Sequence, residues 1–195
     1  VSFIPVIIAS VSATLVSVAV FGRDLAFQVP PMDSANLWET PFFVADGVLL
    51  GLLAAVFIHL VKTFGRFAER PVWQRFAAAG ALTGVAGMLA PEVLGLGYDT
   101  VDAALVGEIG VVTLLLICAL KLLVSAASSG LGLPAGFIGP VLVIGALAGG
   151  ALGTIGGSIW PEEASMPGFQ DLVGMAAMMG AVLQAPLAAL MTVLE

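Results

Sequence analysis

The stretch SSGLGLPAGFIGP, Ser128 to Pro140, has little side-chain chemistry to offer, and what it can do lies in its backbone. Glycines at 130, 132, 136 and 139 admit dihedrals that other residues avoid, and prolines at 134 and 140 interrupt a helix arriving from the N-terminal side. All of Ser128 to Gly139 is read as non-helical, with the unusual dihedrals at its glycines. A new helix is expected to open near Pro140, because a first turn does not use the donor that proline lacks. A helix start leaves amide N–H groups without carbonyl partners, and the aligned peptide dipoles add roughly half a positive charge there. The amides of Gly136, Phe137, Ile138 and Gly139 are therefore the candidate anion-binding groups. A partial charge suits passage better than a lysine, because an ion that binds must also leave. The competing reading is a Gly/Pro hinge that only bends a helix. A Walker phosphate loop does not fit, since no Gly-Lys-Ser/Thr follows the glycines.

Three side chains near this stretch could take part. Ser128 and Ser129 could offer hydroxyls to an ion, or spend them on capping and backbone bonds. Lys121 stands inside an apolar run, where an ionisable group is costly. It is read either as attracting an anion toward an inner vestibule or as snorkelling to the cytoplasmic interface. His59 has no second histidine to share a metal, and Cys118 cannot form an intrachain disulfide, being the one cysteine of the chain. No metal site, no catalytic residue and no cofactor is assigned, and the chain is not read as an enzyme. Glu92, Asp99, Asp102 and Glu108 are expected on the outer side, where they would repel an anion, so they are read as helix breakers.

The elements that must position these residues follow from composition. Of 195 residues 60% are hydrophobic and only 10% charged, which is too apolar for a water-soluble domain to cover with polar surface. The expected class is an all-α, multi-pass membrane helical bundle with broken or re-entrant helices, and the lipid bilayer is its solvent. A net charge of −7 with six Lys and Arg excludes a phosphate-tracking stripe, so no nucleic acid is expected as partner. Apolar segments run over about 1–21, 42–62, 73–95, 108–127, 134–159 and 172–194, each near the ~20 residues that cross hydrocarbon, in a single transmembrane domain. Pro91 ends the third, and Pro186 splits the last into two short helices. The first segment opens with no basic region or cleavage site and is read as a mature span.

Lys62, Arg66, Arg70 and Arg75 fall between the second and third segments, which places that loop in the cytoplasm and the loop from Gly22 to Pro41, with Asp24, Asp33 and Glu39, outside. Trp38, Trp73 and Trp160 sit at segment ends as interfacial anchors. Gly145, Gly149, Gly153 and Gly157 recur every fourth residue, a stripe against which another helix can pack closely. Gly80, Gly84 and Gly87 make a similar small face on the third segment.

These stretches resemble the transmembrane domain of the CLC family of chloride channels and proton/chloride antiporters. GFIGP, Gly136 to Pro140, is similar to that family's G-x-F-x-P signature. PEVLGLGYDTVDAAL at 91–105 resembles its P-x-x-x-G-x-G-Y element, and GMAAMMGAVLQAPLAALMTVLE at 174–195 its GMGA…APLTxxxxxxE element. The resemblance implies half of an inverted repeat, preceded by the last helix of the other half. The family's G-S-G-I-P turn, its G-[KR]-E-G-P turn with the gating glutamate, and its late pore tyrosine are not found in these residues. A piece of a longer protein is therefore expected. By the resemblance, the N–H groups of Phe137 and Ile138 hold a central chloride, with Ile138 standing where the motif has phenylalanine. It also implies a homodimer of the full-length protein with a separate pore per subunit, residues 1–21 and 186–195 lying near the dimer face. The expected function is passage of chloride or a similar anion, by channel or proton-coupled exchange. The alternatives are another secondary transporter with a midplane anion site, or a non-transporting membrane scaffold.

Overall fold

The computed structural model describes residues 3–22, 40–134, 136–159 and 168–194, and every described regular element is helical. The stretches around Trp38 and Trp160, and the acids Asp24, Asp33 and Glu39, lie outside the described residues. Helix α1 covers Phe3–Phe21, an aliphatic run whose described side chains are exposed. Helix α2, Thr40–Gly65, buries a stripe of Asp46, Leu50, Ala54 and Phe57 at spacings of three and four, which is one helical face. Helix α3, Val72–Leu89, begins just after Pro71. A short 3₁₀ turn at Pro91–Val93 follows, and then α4, Tyr98–Leu105, which Gly97 opens from a left-handed φ of 83°.

Helix α5 runs Val111–Gly130 and α6 runs Ile138–Ile159. Helix α7, Phe169–Leu183, ends at Gln184 in a left-handed conformation, and α8, Pro186–Leu194, starts on the proline. The break expected at Pro186 is thus observed. By length and composition α2, α5 and α6 are able to cross a membrane, and shorter apolar stretches lie at Ile7–Phe21 and Phe169–Leu183. The chain is an integral membrane one.

Helix α6 is the axis of the bundle. Every residue from Val141 to Gly149 is buried, enclosed by α2, α4, α5 and α7. Leu114, Ile117 and Leu122 of α5 and Met175, Met178 and Met179 of α7 supply the facing core. The glycine stripe explains the close approach of α7. A Cβ on Gly145 would collide with the carbonyl of Gly174, and one on Gly149 with the carbonyl of Gln170. Lacking side chains there, the two backbones come into direct contact. The other small face behaves differently. Only Gly87 has a neighbour, Leu94, while Gly80 and Gly84 have nothing within 4 Å, so no helix of the described residues packs on them.

Candidate functional site

Two helix ends and the turn between them build the site. Helix α5 continues through Ser128 and Ser129 to Gly130, which corrects the expectation that both serines lie in coil. Its end is a Schellman motif: Leu133 N–H donates to Ser128 O at 3.0 Å and Gly132 N–H to Ser129 O at 3.1 Å, with Gly132 at φ 82°. The serines therefore contribute carbonyls to the turn. Gly130 is helical, and its role is proximity, because a Cβ there would lie 2.6 Å from Phe64 Cβ and from Val61 O of α2. The left-handed demand of this turn falls on Gly132. Around Gly136 the space is open, with nothing within 4 Å of a Cβ position.

Helix α6 opens at Ile138, with Pro140 in its first turn and Val141 N–H donating to Phe137 O at 3.1 Å. None of the amides of Gly136, Phe137, Ile138 and Gly139 donates to the backbone of another described residue. All four sit together at the dipole-positive end of a 22-residue helix. Phe137 and Ile138 are 42% and 55% exposed, so this tip is open while the helix behind it is sealed.

Neighbours hold the tip in place. The Phe137 ring meets Phe57 of α2 edge to face, centroids 6.5 Å apart at 85°. The loop before α4 packs on the other side, where a Cβ on Gly139 would touch Leu96 at 3.4 Å and the Tyr98 hydroxyl at 3.9 Å. Behind the tip lies Lys121, 2% exposed, its Nζ donating to Val93 O at 2.9 Å and Gly95 O at 2.8 Å. The lysine does not snorkel, because two main-chain carbonyls hold the ammonium inside the protein. Sequence patterning could not show this, since the acceptors are 26 and 28 residues away. A second cation, Arg75 at the start of α3, reaches the turn itself and donates from Nη1 to Leu131 O at 3.1 Å.

Helix α5 rises ~30 Å over its twenty residues, about the hydrocarbon thickness, and Lys121 stands at its middle. A Cβ on Gly97 would lie 3.2 Å from Lys121 Nζ and 3.4 Å from Val143 Cγ1, so Val143 of α6 lies near the lysine's ammonium end. Ile138 precedes Val143 by five residues, ~7.5 Å of helix. The turn with the open amides joins two helices, α5 and α6, that are each long and apolar enough to cross a membrane. Inside hydrocarbon, such backbone is tolerated only where protein or a wet cavity surrounds it.

The family model described as voltage gated chloride channel matches residues 1–195. A voltage-gated ClC-type chloride channel, ClcB of Citrobacter koseri, is 31% identical over 198 residues, covering 98% of this chain and 47% of that protein. The H(+)/Cl(-) exchange transporter ClcA of Vibrio cholerae is 29% identical over 198 residues, covering 97% of this chain and 42% of its own length. The chain thus spans under half the length of these relatives. With the model matched from end to end, the chain belongs to the voltage gated chloride channel family.

Proposed function

We propose that this chain supplies part of a chloride pathway, and that the open amides of Gly136, Phe137, Ile138 and Gly139 are its anion-binding groups. The observation that supports the reading is a bundle of backbone donors, unspent on described backbone, at the exposed N-terminus of a helix long and apolar enough to cross a membrane. A site made of partial charges binds a small anion without trapping it. Ser128 and Ser129 act through their carbonyls, which fix the turn that aims the tip. The relatives are named as a channel and as an exchanger, and both modes need such a site. The functional unit is the full-length protein, taken as a homodimer in the bilayer, with chloride as substrate and no cofactor.

The test is direct. Full-length protein in liposomes should release chloride down its gradient, and calorimetry should detect chloride binding. Ser128 and Ser129 changed together to alanine should leave both nearly intact, because their carbonyls remain. Absence of both efflux and binding in the wild type would overturn the reading in favour of a membrane scaffold.

A further inference from the structure

Among the described residues the Lys121 ammonium is a buried charge without a counter-charge. Two carbonyl oxygens solvate it, and no carboxylate lies within ion-pairing distance among the described residues. An unpaired ion in a dry interior is costly, and such a residue inside a membrane span marks a function by default. Helix α6 offers no charged residue to compensate it along Ile138–Ile159. Yet α6 passes directly beside it, with Val143 sharing the same contact point at Gly97.

We infer that Lys121 is the fixed counter-charge of the anion site: it acts on a small monovalent anion at the α6 tip from behind, across one to two turns of helix and without touching it. The inference rests on the chloride reading given above. Its geometry answers an apparent conflict. A lysine in direct contact would hold the anion too tightly, whereas one clamped by Val93 O and Gly95 O cannot reach it and still contributes its field. Through a medium of effective dielectric about 20, a unit charge roughly 10 Å away changes anion affinity on the order of tenfold. The same clamp fixes the loop that seats Leu96 and Tyr98 against Gly139, so Lys121 is also a positioning residue.

Charge and clamp separate by substitution in the full-length protein. Lys121→Gln keeps an N–H donor for the carbonyls and removes the charge, Lys121→Met removes both, and Lys121→Arg keeps both. Chloride affinity by calorimetry should fall about tenfold in Lys121→Gln and Lys121→Met alike and stay near wild type in Lys121→Arg. Thermal stability should separate the first two, with Lys121→Met the lower. Wild-type affinity in a folded Lys121→Gln protein overturns the inference, as does a loss that tracks stability alone. Bromide located by anomalous scattering in wild-type crystals gives a measure independent of variant folding: a peak at the tip within roughly 10 Å of Nζ is expected. A bromide at the amides but much farther from Nζ also overturns it. A wild type that binds no halide instead defeats the chloride reading itself.

Discussion

The Arg75 guanidinium donates from Nη1 to the carbonyl of Leu131 at 3.1 Å, tying the start of α3 to the closing turn of α5. A cation at the carbonyl end of a helix also opposes the negative pole of its dipole. The guanidinium also fills the space a side chain at Gly132 would need, since Arg75 Nη1 would lie 3.0 Å from a Cβ on that residue, whose positive φ closes the turn. Arg75→Met should therefore lower stability by about 1–2 kcal/mol, as for a charge-assisted hydrogen bond lost from a half-buried site. Thermal unfolding of the full-length protein in detergent reads this out, and Arg75→Lys should restore part of the loss.

Packing along α6 gives a contrast within one residue type. Gly145→Ala places a methyl group against the backbone of Gly174 and Met175 at the tightest seam of the bundle. The helices must separate, at a cost of about 2–3 kcal/mol. Gly84→Ala meets open space in the middle of α3 and should gain about 0.5–1 kcal/mol from helix propensity. Unfolding midpoints that move in opposite directions for the two alanines confirm the assignment of packed and open faces. Equal shifts contradict it.

What the sequence discloses divides along physical lines. The break before α6 and the break at Pro186 are legible because proline and glycine act locally on the backbone that carries them. So is the seam of Gly145 and Gly149, because period and residue size alone define a close-packing face. Ser128 and Ser129 mislead for a related reason. Serines favour coil and caps, but here the Schellman geometry of Gly132 keeps them helical, and only the pairing of amides with carbonyls reveals it. Lys121 and Arg75 are illegible for a different reason. Their acceptors are carbonyls of distant residues, and a main-chain oxygen leaves no mark in a one-letter code.

Asp171 is the least anticipated residue of the bundle. It lies just before the last apolar segment marked in the sequence and occupies the first turn of α7, 0% exposed, against Gly150 of α6. Among the described residues both carboxylate oxygens lack a hydrogen-bond partner, and the neighbouring Gln170 leaves its Oε1 unpaired as well. An acid near a helix N-terminus gains from the dipole, typically 0.3–1 kcal/mol, whereas burying an unsatisfied polar group costs about 1–3 kcal/mol. The penalty outweighs the gain. Asp171→Ala removes the carboxyl and introduces no atom that α6 must accommodate, so it should raise stability by about 1–2 kcal/mol. Asp171→Asn, still polar and still without partners, should gain little. Thermal unfolding of the two variants separates them, and a destabilised Asp171→Ala protein would mean that the carboxyl has a partner in the full-length assembly.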